Sequence, residues 1–204
     1  MSVVLASSSP QRREILQKLG VEFEVVVPGV EELTGGDPEV EVVENARLKA
    51  RAVAGVSGEA PAGEVFVLGT SPDTPTRAGL VIACDTDVVL DGTALGKPRN
   101  EVEAREYLDR MSGRAHEVLS GLVVLDGGEE RSGLERTSVY FKALSEAEKE
   151  RYARFGEWEG RSGGYAIQTL GSTLVERVEG SVSNVVGLPV GLLAELAPAL
   201  FDRA

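Results

Sequence analysis

The apolar and polar positions alternate in a way that predicts a mixed succession of strands and helices. Val3, Val4 and Leu5 form a short apolar run, the end of a strand. A hydroxyl-rich turn follows at Ser7, Ser8 and Ser9, and Pro10 suits the first position of a helix capped by Ser9. Ile15, Leu16 and Leu19 give that helix an apolar face, and Gly20 is placed to end it. Residues 22–27 read as a second strand, and residues 28–36 as a loop carrying Glu31 and Glu32. Asp37-Pro38 opens a helix running to about Ala54, with Val42, Val43, Ala46, Ala50, Val53 and Ala54 as its apolar stripe. Leu80 to Cys84 is unbroken apolar, as in a strand covered on both faces.

That run ends abruptly at Asp85-Thr86-Asp87, before Val88-Val89-Leu90 and an Asp91-Gly92 turn. Asn100 caps a helix bearing Ala104, Tyr107, Leu108 and Met111 on one side. Residues 116–125 and 135–142 read as antiparallel strands about Gly127-Gly128. Ser145 and Glu148 form a capping box for a helix to Phe155, and residues 173–178 give a further strand. A last amphipathic helix runs from Gly187-Leu188-Pro189 through Leu192, Leu193, Leu196 and Leu200. Its apolar residues leave a homodimer open. Residues 56–79, rich in Gly, Pro, Ser and Thr, read as a surface insertion with a short strand at 65–68.

Composition narrows the function. A chain of 204 residues with 42% hydrophobic and 26% charged positions suits one domain or two small lobes around a cleft. No run reaches the ~20 apolar residues that span a bilayer, and no signal peptide is visible. The single cysteine, Cys84, excludes internal disulfides and thiolate-rich zinc sites, so a cytoplasmic setting is the expectation. A net charge of -12 argues against nucleic-acid binding. A small polyanionic ligand would need clustered cations, a divalent metal, or both.

Four places carry candidate chemistry. Arg12 and Arg13 put cations in a helix's first turn, against its dipole. Either they border an anion pocket or they are two solvated surface arginines. Lys49 edges the apolar stripe of its helix; spacing alone favours a snorkelling surface lysine over one aimed into a cleft. Asp85 directly follows five apolar residues, where an acid is costly without a partner. Asp87 lies two residues on and on the same strand face, so both carboxylates could reach one cation, or Asp87 caps a turn. In Gly163-Gly164-Tyr165-Ala166-Ile167-Gln168, Tyr165 could stack a base and Gln168 could bond a base edge, or the glycines simply turn the chain into a strand. His116 is the only histidine and, without a Gly-x-Ser-x-Gly elbow, serves better packed at a strand start than in a serine triad.

In this order the pieces resemble the Maf family of nucleoside triphosphate pyrophosphatases over nearly the whole chain. The matching motifs are Ser7-x-Ser9-x-x-Arg12, Glu32 after the second strand, Lys49-Ala50, Asp85-Thr86, Leu95-Gly96-Lys97-Pro98, Leu108-x-x-Met111-Ser112-Gly113-Arg114, residues 163–168 and Asn184-Val185-Val186-Gly187-Leu188-Pro189. The resemblance implies an α/β fold: a mixed, elongated, twisted sheet flanked by helices, in two lobes about a central cleft, similar to the inosine-triphosphate pyrophosphatases. It implies a single domain over 1–204, a cytoplasmic enzyme, and cleavage of a nucleoside triphosphate to its monophosphate and pyrophosphate with Mg²⁺ or Mn²⁺. Asp85 would be catalytic, as general base or as metal ligand with Glu32. Ser7, Ser9, Arg12, Lys49 and Lys97 would bind substrate. The family's dTTP/UTP branch carries Arg, Thr and Gln at the positions of Gln11, Thr86 and Gln168, and its 7-methyl-GTP branch an aromatic, Gln and Glu. Two of the three match the dTTP/UTP branch and Gln11 matches neither. The alternatives are a modified-nucleotide pyrophosphatase and a non-catalytic nucleotide-binding regulator of septum formation.

Overall fold

The structure, a computed structural model, describes residues 2–55, 65–66 and 79–202, with backbone alone at 65–66. The expected insertion at 56–79 lies almost wholly outside the described residues. Its strand β3 (Val65–Phe66) pairs antiparallel with the second strand. The other strands are β1 (Val3–Ala6), β2 (Glu24–Val26), β4 (Leu80–Leu90), β5 (Thr93–Ala94), β6 (Ala115–Asp126), β7 (Glu129–Phe141) and β8 (Val175–Glu179). Hydrogen-bonded neighbours follow the order β3-β2-β1-β4-β6-β7-β8, with β5 on β4. β1 runs parallel to β2 and to β4, while β7 and β8 are antiparallel, so the sheet is mixed. The helices are α1 (Pro10–Lys18), α2 (Pro38–Ala54), α3 (Glu101–Met111), α4 (Glu146–Phe155), α5 (Val182–Val186) and α6 (Val190–Leu196).

The chain divides into two compact units. The first holds Met1–Asp85, Ser120–Glu135 and Gly187–Ala204; the second holds Thr86–Leu119 and Arg136–Val186. In the first unit strand alternation builds two cores. Val3, Leu5, Leu80, Ile82 and Cys84 face Leu16 of α1 and Leu193 of α6, while Val4, Ala6, Val81 and Ala83 face Ala46 and Ala50 of α2. The alanines let α2 lie close to the sheet, and Gly121 of β6 makes the approach closer still. A Cβ on Gly121 would stand 2.2 Å from the Val42 carbonyl oxygen and 2.5 Å from the Val43 Cα. The second unit packs α3 and α4 over Val88, Leu90, Val118, Val139 and Phe141. Its ring cluster sets His116 edge-on to both Phe141 and Tyr165.

Several expectations are corrected by the packing. β4 does not stop at Asp85; it continues for eleven residues to Leu90, because β5 and the second core support its far half. The leucines of the last helix do not form an exposed dimer face: Leu193 is fully buried, and Leu192 and Leu196 pack against the first core. That helix is also shorter, ending at Leu196 before a 3-10 turn at Pro198–Leu200. α5, too short to show a helical stripe, was not expected. Residues 163–168 enter no strand; a 3-10 turn at Ser162–Gly164 is held by Gly163 N–H donating to the Gly96 carbonyl at 2.8 Å.

Two outcomes follow from this packing. Gly121→Ala should destabilise the protein by about 2 kcal/mol, because backbone cannot yield as a side-chain end can; urea unfolding midpoints measure it. Burial lowers the His116 pKa from 6.5 to about 4. The folded state therefore keeps a neutral imidazole where the unfolded chain already takes a proton, so stability falls as the pH drops from about 6.5 towards 4. The full contribution is about 3 kcal/mol. Wild type should lose that much more than His116→Gln between pH 7 and pH 4 in parallel urea titrations.

Candidate functional site

The parallel pairing of β1 with β4 sets Leu5 beside Ile82. The turn after β1 and the aspartate at position 85 therefore lie along the same edge of the first unit, beyond the carboxyl ends of β1 and β2. Ligands in parallel α/β sheets bind at such edges.

The turn is organised by its own hydroxyls. Ser9 caps α1, its Oγ accepting from the Arg12 N–H at 3.4 Å and donating to Gln11 Oε1 at 3.0 Å. Ser9 N–H in turn donates to Ser7 Oγ at 3.1 Å. Arg12 is not a solvated surface residue. It is buried, with Nη1 donating to Ser7 Oγ at 3.1 Å and Nε donating to the Gly187 carbonyl at 2.8 Å. The Cys84 thiol meets the same carbonyl at 3.5 Å. One main-chain oxygen thus ties the arginine to the residue before Asp85.

Asp85 lies between two residues of α2. Its Oδ1 accepts from Lys49 Nζ at 2.6 Å and its Oδ2 from Asn45 Nδ2 at 3.2 Å. Lys49 does not snorkel to the surface. Only 9% of its side chain is exposed, and its ammonium also pairs with Glu32 Oε1 at 2.5 Å. Asn45 is buried and bonded through both ends of its amide. Besides Asp85, Nδ2 donates to the Leu33 carbonyl at 3.1 Å, and Oδ1 accepts from the Leu33 N–H at 2.7 Å. These two bonds hold the loop that carries Glu32. Positions 45 and 49 are one helical turn apart and share a face, so the close seating of α2 on the sheet delivers both to Asp85.

Of the residues expected from sequence, Glu32, Lys49 and Asp85 come together, and Ser7, Ser9, Gln11 and Arg12 form an adjoining cluster. Thr86, Lys97 and Gln168 belong to the second unit. Thr86 continues β4, Lys97 is exposed in the loop before α3, and Gln168 is exposed in a turn. Asp87 does not join Asp85 as a second cation ligand. It is taken up by the Val88 N–H at 2.9 Å and by the Ser162 hydroxyl. Tyr165 does not offer a free ring for stacking a base. It is buried in the ring cluster, its hydroxyl 2.8 Å from His116 Nε2, and burial pushes its pKa upward.

Asn45 is the residue that sequence reading missed. Its signal was a polar side chain four positions before Lys49, beside the apolar stripe. Gly187 left no signal, because it acts through its carbonyl. Asn45→Leu keeps the volume near constant but removes both bonds to the Leu33 backbone and the bond to Asp85 Oδ2. It should cost about 2 kcal/mol and speed hydrogen exchange at the Leu33 amide, read by urea unfolding and exchange mass spectrometry.

The family model described as "Maf-like protein" matches residues 2–200. A dTTP/UTP pyrophosphatase of Deinococcus radiodurans is 46% identical over 195 residues, covering 95% of this chain and 90% of its own. Another of that name from Pelotomaculum thermopropionicum is 39% identical, covering 95% and 94%, and one from Pyrococcus furiosus 37%, covering 95% and 93%. Among solved structures, the Staphylococcus aureus Ham1 protein aligns over 69% of this chain and 72% of its own, at 15% identity and TM-score 0.43. That likeness is distant, and the fold class rests on the strand order. The family match over residues 2–200, together with relatives up to 46% identical over nearly the whole chain, places the chain in the Maf-like protein family.

Proposed function

We propose that the protein is a nucleoside triphosphate pyrophosphatase acting on dTTP and UTP, releasing the nucleoside monophosphate and pyrophosphate. The observation that carries this reading is Asp85. Its carboxylate is fixed from both sides by Lys49 and Asn45, along the same sheet edge as an arginine and two hydroxyls suited to phosphate oxygens. The names of relatives 37–46% identical over nearly full length support the substrate.

Water attacks the α-phosphorus, a new O–P bond forms, and the bond from that phosphorus to the bridging α–β oxygen breaks. Asp85 either takes the proton from the attacking water or joins Glu32 in holding a divalent ion that would make that water more acidic. Ser7, Ser9 and the buried Arg12 hold phosphate oxygens, and Arg12's fixed fork orients them. Lys49 and Lys97 neutralise the charge that builds on the departing pyrophosphate. Gln11, Thr86 and Gln168 belong to base selection in this reading.

Among the described residues no group of three or more His, Cys, Asp or Glu is arranged around a metal position. The donors at the site are two carboxylates, Glu32 and Asp85, which share one ammonium. Two hard carboxylates fit Mg²⁺ or Mn²⁺, which complete their shells with water and substrate phosphate. When bound there, the ion supplies charge neutralisation and a more acidic water.

A panel of triphosphates with pyrophosphate detection tests the reading. dTTP and UTP should be the best substrates with Mg²⁺ or Mn²⁺ supplied. Asp85→Asn should lower turnover on them by at least ~10²-fold. Preference for 7-methyl-GTP, or nucleotide binding without pyrophosphate release, would replace this reading with one of the alternatives.

A further inference from the structure

In the structure Lys49 occupies the place between the two carboxylates that a divalent ion would take. Its Nζ lies 2.5 Å from Glu32 Oε1 and 2.6 Å from Asp85 Oδ1. The stem is buried in the face of α2 that packs on the sheet, and the helix is seated tightly by Gly121. The stem is thereby confined along the packed face, and the ammonium is its mobile end.

We infer that Lys49 is the resident counter-ion of the Glu32–Asp85 pair, and that a divalent cation displaces it only when a nucleotide's phosphates are present to receive the ammonium. The inference rests on the pyrophosphatase reading above and adds an order to it. With lysine in place, the two carboxylates and the ammonium together carry a net single negative charge. A divalent ion entering beside the ammonium would meet a like charge at ion-pair distance in a half-buried site, where screening is weak. Without nucleotide the displaced ammonium would lose two partners and gain none, which is costly for a buried charge. With nucleotide, phosphate oxygens replace the carboxylates as its partners and the metal takes the carboxylates. Lys49 thus couples metal and nucleotide binding, and by linkage each tightens the other. Asn45 keeps its bond to Asp85 Oδ2 throughout, so the exchange uses only the oxygen that Lys49 gives up.

The test is Mn²⁺ binding alone, without nucleotide, followed by electron paramagnetic resonance of free Mn²⁺ and by calorimetry. Wild type should bind weakly, and Lys49→Gln should bind at least ~5-fold more tightly. Lys49→Arg keeps the positive charge and should remain as weak as wild type, which separates the charge effect from any general disturbance by substitution. Lys18→Gln removes a surface lysine paired with Glu14 and makes the same change in net charge; it should leave Mn²⁺ binding unchanged. Equal Mn²⁺ affinity in wild type and Lys49→Gln, including no measurable binding by either, overturns the inference. If wild type still releases pyrophosphate from dTTP and UTP in that case, the functional reading stands and only the exchange is lost. If it does not, the functional reading has failed on its own assay.

Discussion

The interaction on which the site depends is the partly buried ion pair between Lys49 and Asp85. An aspartate at the heart of a strand flanked by apolar residues is unfavourable unless something repays the lost hydration. Here the lysine, the Asn45 amide and the edge of the sheet do so together. A buried pair of this kind is poor evidence for stability, since a hydrophobic replacement often does as well. In the proposed reading it is a charge arrangement that serves the chemistry and is held at a fixed place by its surroundings.

Those surroundings begin with the absence of a side chain. Gly121 has no Cβ, so the backbone of α2 at Val42 and Val43 can lie against β6. Ala46 and Ala50 carry the close contact along the helix. Residues on the adjoining edge of α2 are thereby brought level with β4, and Asn45 and Lys49 reach Asp85 without strain. Asn45 extends the arrangement to the loop of Glu32 through the backbone of Leu33. Core packing, helix seating, loop order and carboxylate position are one chain of cause in the first unit.

The second unit is stabilised differently. Several of its polar groups hold turns. Asp87 fixes Ser162, Tyr152 Oη accepts from the Ala166 N–H at 3.0 Å, and Gly163 bonds Gly96. This explains why two residues with attractive chemistry, Asp87 and Tyr165, are structural. Asp87 Oδ1 accepts from the Val88 N–H and the Ser162 hydroxyl, and the Tyr165 hydroxyl meets His116 inside the ring cluster.

Periodicity and capping along the chain determined the first strand and helix, the α2 stripe, the buried run before Asp85 and the capping box at Ser145, because each depends on neighbours a few residues apart. The sequence also marked Asp85 and Arg12 as anomalies, since each breaks a local rule of burial or helix dipole. It misjudged Lys49, because a stripe-edge lysine has the same spacing whether its amine meets water or a carboxylate 36 positions away. It could not reveal Asn45's three bonds, the shared Gly187 carbonyl or the extension of β4 to Leu90. Those depend on which backbone atoms arrive beside which side chains, and only the pairing of distant strands and the depth at which α2 sits decide that.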